Sequence, residues 1–83
     1  MPLFMDVHDG LPEEADAKAV ADAHQADLRI QDKYNTRYIN YWLDEDERKI
    51  FCLVDAPDAD TAHAVHREAH GLVADRIYQV AQG

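Results

Sequence analysis

The stretch Thr61–Asp75, TAHAVHREAHGLVAD, carries the helical pattern around which the other elements are arranged. Its apolar residues recur at the spacing of one helix face, which predicts a helix packed on a core. This apolar stripe consists of Ala62, Val65, Ala69, Leu72 and Val73. His66 lies at the edge of the stripe and His70 one turn later, so both imidazoles project from the same side of the helix.

An i, i+4 histidine pair can supply two ligands to one metal ion, although two ligands do not complete a site. The order His66-Arg67-Glu68-Ala69-His70 departs from the H-E-x-x-H motif of metalloproteases. In that motif the glutamate follows the first histidine directly, whereas Glu68 comes two residues later and points toward solvent. We therefore exclude a protease site. The alternative to a metal site is that His66 and His70 are half-buried polar residues at the edge of a core helix.

The segments around this helix predict the remaining elements of the fold. Strands are indicated at Leu3–His8, Arg37–Leu43, Lys49–Val54 and Arg76–Ala81, and a first helix from Leu11-Pro12-Glu13-Glu14 to about Asp32. Asn35 suits a left-handed turn, Asp58 or Asp55 suits the N-cap of the second helix, and Gly71 interrupts that helix. The order βαββαβ predicts a single α+β domain over residues 1–83, with a ferredoxin-like, four-stranded antiparallel sheet and both helices on one face.

Strand alternation predicts which side chains occupy each face of the sheet. The uncovered face is expected to carry Phe4, Asp6 and His8 from the first strand, together with Tyr38, Asn40 and Trp42 from the second. So much aromatic and aliphatic surface favours a homodimer that packs sheet to sheet and resembles an αβ-barrel. On the first helix, the buried face is expected to contain Ala17, Val20, Ala21, His24 and Leu28, with Asp27 and Gln31 at its margin.

Composition narrows the possible partners. The net charge is −9 and no Lys/Arg stripe is present, which argues against nucleic-acid binding. No apolar run approaches the ~18 residues of a membrane span, and the first residues do not resemble a secretion signal. The single cysteine, Cys52, excludes an intrachain disulfide and fits a reducing compartment, so a cytoplasmic location is expected.

Histidine and carboxylate side chains make a metal site a candidate function. The potential ligands are His8, His24, His63, His66, His70, Cys52 and the carboxylates Asp6, Asp9, Asp27 and Glu68. Imidazole with carboxylate suits Ni²⁺, Cu²⁺ and Zn²⁺, and a thiolate would favour softer ions. Cys52 has the alternative role of an inert core thiol.

The segments DVHDGLP, AHQADLRIQ, YINYWLDE, FCLVDAPDA and AVHREAHGLVAD resemble a family of small nickel-binding proteins with a dimeric ferredoxin-like fold, formerly described as a domain of unknown function. The resemblance extends from about Phe4 to Val80. It implies nickel binding or nickel response without an established reaction. The motif positions are matched by His8, His24, His66, His70 and Cys52, whereas His63 lies outside the motif.

Two other functions stay open at this stage. A dimer that closes into an αβ-barrel could be a cofactorless oxygenase or isomerase, with Trp42, Tyr38, His8 and His24 lining its pocket. The domain could also be a small-ligand-binding module without chemistry. The favoured hypothesis is a nickel-binding protein that buffers, delivers or senses the ion, with His66 and His70 as first ligands and His8 and His24 next.

Overall fold

The computed structural model describes residues 1–83. The strands are β1 (Leu3–His8), β2 (Arg37–Asp44), β3 (Lys49–Asp55) and β4 (Arg76–Val80), and the helices are α1 (Ala17–Ile30) and α2 (Ala59–Ala69), with a short 3-10 turn at Gln31–Tyr34. The strands form one antiparallel sheet in the order β2-β3-β1-β4. The predicted ferredoxin-like βαββαβ order is confirmed, and the strand bounds agree with the prediction to within one residue.

Helix α1 begins later than the sequence pattern predicts. Asp16 is its N-cap, and the Asp16 Oδ1 accepts a hydrogen bond of 2.8 Å from the Ala19 amide. The preceding residues form a loop because the Arg48 guanidinium donates to the carbonyls of Pro12 and Ala15, at 2.6 and 3.0 Å. The predicted start at Leu11 was wrong because the Asp16 cap and the hydrogen bonds from Arg48 outweigh the helix-start pattern of Pro12 and the two glutamates after it.

Helix α2 begins at a predicted cap and ends at a predicted break. Asp58 Oδ1 accepts a hydrogen bond from the Thr61 amide, and Gly71 adopts a φ of 83° just after the last turn. The Gly71 amide donates to the His66 carbonyl, a C-terminal arrangement that favours glycine. Leu72 therefore leaves the helix and is 55% exposed, so the extension of the apolar stripe through Leu72 and Val73 was wrong.

The predicted faces of β1 were reversed. Phe4, Asp6 and His8 lie against the helices, and Asp6 pairs with Cys52 of β3. Alternation divides a strand into two faces but does not say which face the helices cover. Asp6 and His8 were assigned to the uncovered face because polar side chains are usually exposed unless they have buried partners. Asp6 is fully buried.

A register shift in β2 changes the second strand as well. The ladder with β3 is irregular between Tyr38 and Asn40. The extra residue places Tyr38 on the helix face, where it is 2% exposed, while Trp42 lies on the uncovered face and is 50% exposed. The prediction that both aromatic rings share one face was wrong because a bulge inverts the alternation.

The core lies between the sheet and the two helices. Its fully buried side chains are Val54, Ala56, Ala62 and Val65, surrounded by Phe4, Val20, Tyr38, Ile50 and Cys52. Ala17 at the start of α1 is exposed, against expectation, and Asp27 is buried rather than marginal. Neither helix has the length and apolarity that crossing a bilayer requires.

Candidate metal centre

His66 stands at the centre of a buried polar cluster between the helices and the sheet. It follows Val65 on the inward face of α2 and is only 2% exposed. Its Nδ1 donates to Asp27 Oδ1 of α1 at 2.9 Å, and its Nε2 donates to Asp6 Oδ2 of β1 at 3.0 Å. One imidazole thus joins two carboxylates from different elements.

These contacts decide the protonation of the cluster. Burial alone lowers the pKa of His66, but hydrogen bonds to Asp27 and Asp6 outweigh it and raise that pKa to about 9. Burial alone raises the pKa of each aspartate, but contacts with His66, joined by His8 at Asp6 and by His70 at Asp27, reverse the effect, so both carboxyl pKa values lie below the ordinary value. At neutral pH the cluster therefore holds two carboxylates and one imidazolium, leaving one negative charge in excess.

His66 belongs to a group of four potential metal ligands on its Nε2 side. They are Asp6, His8, Cys52 and His66, and their ligand atoms all lie within 4.8 Å of one another. The β-sheet brings them together, since Cys52 is opposite Asp6 and His8 is two residues further along the same face of β1. His8 Nε2 is 3.3 Å from Asp6 Oδ1, but that oxygen accepts no hydrogen bond although it is buried.

His66 also belongs to a second group of three potential metal ligands, on the side of its Nδ1. They are Asp27, His66 and His70. The His70 Nε2 lies 3.1 Å from Asp27 Oδ1, and its Nδ1 accepts a hydrogen bond from the Leu72 amide at 3.1 Å. Because Nδ1 accepts from the Leu72 amide, the tautomer of His70 that fits carries its proton on Nε2. The Nε2–H therefore donates to the Asp27 carboxylate. The predicted proximity of His66 and His70 is observed, with ring centroids 4.9 Å apart.

Tyr38 supports the cluster from β2. Its hydroxyl lies 3.0 Å from Asp6 Oδ2 and 3.1 Å from the Ala62 carbonyl, and its ring packs 4.6 Å from the ring of His66. Burial, followed by the nearby Asp6 charge, raises the pKa of the Tyr38 hydroxyl. The same two causes raise the pKa of the Cys52 thiol. Both side chains are therefore neutral hydrogen donors at physiological pH.

The clusters open on one side into a cavity of about 180 Å³. His24 lines this cavity with its ring centroid 4.7 Å from that of Tyr41, but it belongs to neither ligand cluster. Trp42 and Tyr38 do not line the cavity. The enzyme alternative predicted that these rings share a pocket with His8 and His24. That prediction was wrong, because Trp42 is on the opposite face of the sheet.

The side chains present fit a divalent transition metal. Carboxylate oxygen, imidazole nitrogen and cysteine sulfur converge within 4.8 Å, and one carboxylate oxygen lacks a hydrogen-bond partner. From the sequence, Asp6 and Asp27 were predicted only as carboxylates near the site. The i, i+2 relation of Asp6 to His8 on one strand was an available signal, as was the position of Asp27 seven residues after buried Val20 on α1.

Comparisons with known proteins support this fold and point to a family. A family model described as "Nickel responsive protein SCO4226-like" matches residues 4–80. The crystal structure of SCO4226 from Streptomyces coelicolor A3(2) superposes with a TM-score of 0.88 at 34% sequence identity, covering 98% of each chain. No curated protein matches the chain. From the extent of the family match and the identity to this structure, we conclude that the chain belongs to the SCO4226-like family of nickel-responsive proteins.

Proposed function

We propose that this protein binds Ni²⁺, or a similar divalent ion such as Zn²⁺ or Cu²⁺, through Asp6, His8, Cys52 and His66. The observation that carries the proposal is the buried Asp6 Oδ1, which accepts no hydrogen bond within a cluster of excess negative charge. An unpaired buried carboxylate oxygen is costly, and a cation beside it would remove that cost. The name of the matching family supports nickel among the candidate ions.

The residues around this set have supporting roles. Asp27 accepts a hydrogen bond from the Nδ1–H of His66, which holds the ring with its Nε2 toward Asp6 and His8. His70 contacts the same Asp27 oxygen, and its Leu72 contact opposes metal binding at Nε2 in this conformation. We therefore assign His70 to the support of His66 and leave His24, which lies in neither cluster, outside the ligand set.

A bound ion would supply a positive charge at the buried carboxylate, and the protein would give up protons to receive it. Ligating imidazole nitrogens must be unprotonated, so His66 loses its Nε2 proton. The Cys52 thiol, whose pKa burial raises, ligates only after the metal displaces its proton. Both requirements make binding weaker as the pH falls, which suits a protein that buffers, delivers or senses a metal ion.

Calorimetry on tag-free, chelator-treated protein tests the proposal. We expect nickel binding that is reduced at least tenfold in His66→Gln and in Asp6→Asn, in line with the effect of losing a metal ligand or its support. His63→Gln is the matched control, since His63 is on the same helix but outside both clusters, and it should bind as the parent does. Circular dichroism verifies that each variant is folded.

Cys52 offers a spectroscopic readout of the same site. If it ligates nickel, the loaded protein shows a thiolate-to-nickel charge-transfer band that Cys52→Ser lacks. Absence of nickel binding by the parent protein would refute the proposed function. Binding that is unchanged in His66→Gln, Asp6→Asn and Cys52→Ser would place the ion elsewhere on the molecule.

We also propose that the protein is a homodimer in the cytoplasm. The uncovered sheet face supports the dimer, because Trp42 and Tyr78 on it are 50% and 49% exposed, and Leu3, Met5 and Leu53 border a second cavity there. The metal cluster is on the other side of the sheet, so the dimer would leave it accessible. The free thiol of Cys52 supports a reducing compartment.

A further inference from the structure

The cavity beside the histidine cluster is larger and more apolar than a single ion needs. Its volume is about 180 Å³, and a dry protein cavity of about 150 Å³ already binds benzene. Residues of the cluster line part of the cavity, and apolar side chains from four segments also line it: Leu11, Val20, Ala23, Ile50, Leu72 and Val73. Apolar side chains offer a metal ion no ligand atoms, but they stabilise the hydrocarbon part of an organic molecule.

Asp27 offers the cavity a hydrogen-bond acceptor that the protein itself does not use. Asp27 is 2% exposed and lines the cavity, and its Oδ1 receives His66 and His70. Its Oδ2 accepts no hydrogen bond from the protein, which leaves that oxygen for a donor in the cavity. His24, whose ring packs against that of Tyr41, also lines the cavity and makes no hydrogen bond through its ring.

Charge decides which polar group such a molecule can carry. Asp6 and Asp27 face one shared histidine, so the cluster is negative even when His66 is protonated. A carboxylate or phosphate would be repelled, whereas an ammonium group would be attracted and could donate to Asp27. The Tyr41 ring on the wall adds a favourable surface for a cation.

We propose that this cavity binds a small primary amine with a compact apolar body, with the ammonium group at Asp27 Oδ2 and the hydrocarbon part against Val20, Ala23 and Leu72. This site does not depend on nickel, because it uses the acceptor and the walls that the metal cluster leaves free. An amine and a metal ion would compete only through the charge that both neutralise.

A series of isosteric probes tests the proposal on tag-free, chelator-treated protein at neutral pH. Benzylamine, benzyl alcohol and benzoate have similar shapes and carry a positive, a neutral and a negative group. Titrations followed by ¹⁵N–¹H NMR are expected to shift amides of the cavity residues with benzylamine. Benzyl alcohol should bind about tenfold more weakly, as expected for the loss of one charged hydrogen bond, and benzoate should not bind.

Two variants locate the site. Asp27→Asn is expected to weaken benzylamine about tenfold and leave benzyl alcohol unchanged. Ala23→Leu adds bulk to the cavity one turn before Asp27 while keeping every polar side chain of the cluster. It is expected to abolish binding of both probes, so it decides the location even if Asp27→Asn does not fold. His63→Gln is the control that retains binding.

The proposal is overturned if benzylamine causes no cavity shifts, if the alcohol or benzoate binds as tightly, or if Ala23→Leu binds benzylamine unchanged. None of these outcomes bears on nickel. Conversely, failure of nickel to bind in calorimetry would leave the amine site intact, so the two proposals fail separately.

Discussion

Raising the pH from 6 to 8.5 is expected to weaken the metal-free fold through one side chain, His66. The pKa of His66 is raised to about 9 in the folded protein because Asp27 and Asp6 outweigh the effect of burial, and an unfolded histidine has a pKa of about 6.5. A histidine with a raised folded pKa stabilises fully below its unfolded pKa and loses that contribution as the pH rises toward the folded pKa. Applied to this shift, the linkage relation gives a loss of about 2 kcal/mol between pH 6 and 8.5.

Other titratable groups contribute little to the change in stability between pH 6 and 8.5. The pKa values of Asp6 and Asp27 are lowered, so these carboxylates are ionised throughout in the folded protein and lose their contribution only at acid pH. Cys52 and Tyr38 ionise in the unfolded chain near or above pH 8.5, at the end of the window. The pKa of His24 is lowered by burial, and its smaller effect has the opposite sign.

Urea denaturation of chelator-treated protein across this range measures the effect, and NMR of the imidazole protons measures the pKa of His66 directly. His63→Gln should retain the full pH dependence. In the double variant Asp6→Asn and Asp27→Asn, burial dominates, the pKa of His66 falls below 6.5 and the slope reverses. A His66 ring that titrates below pH 7, or an unfolding free energy constant to about 0.5 kcal/mol, would refute the reasoning.

Further predictions concern the same framework. Nickel binding at pH 7 should release protons, including that of His66, so its heat should differ between buffers of unequal ionisation enthalpy; equal heats would contradict this. Tyr38→Phe should lower the unfolding free energy by about 1–3 kcal/mol in urea, because Asp6 and a helix carbonyl share its buried hydroxyl; a loss below about 0.5 kcal/mol would be inconsistent. Gly71→Ala should cost about 1 kcal/mol because of its φ of 83°, and an unchanged midpoint would argue otherwise. Trp42→Glu should convert the proposed dimer to a monomer by light scattering with unchanged nickel stoichiometry; a dimer that persists would place the interface elsewhere.

The candidate site shows where prediction from pattern stops. The i, i+4 spacing of His66 and His70 was enough to place their rings together, because helix geometry is local. It is His66, and not His70, that lies between two carboxylates, because Asp27 of α1 and Asp6 of β1 reach it from elements far from α2 in the sequence. Asp27 was expected at the margin of its helix, since a carboxylate in the core is costly without a partner, and only the fold shows that His66 is that partner.

The sequence by itself determined the βαββαβ order, the four strands, a helix cap at Asp58 or Asp55 and the break at Gly71, because these follow from alternation, helix period and turn chemistry within a few residues. The tertiary structure alone decided which sheet face is covered and how far α1 extends. A bulge in β2 and the reach of Arg48 to the loop before α1 are contacts between distant segments, and no local pattern encodes them. The same is true of the ligand cluster, because strand register sets Asp6 opposite Cys52 and the packing of α2 on the sheet brings His66 to Asp6.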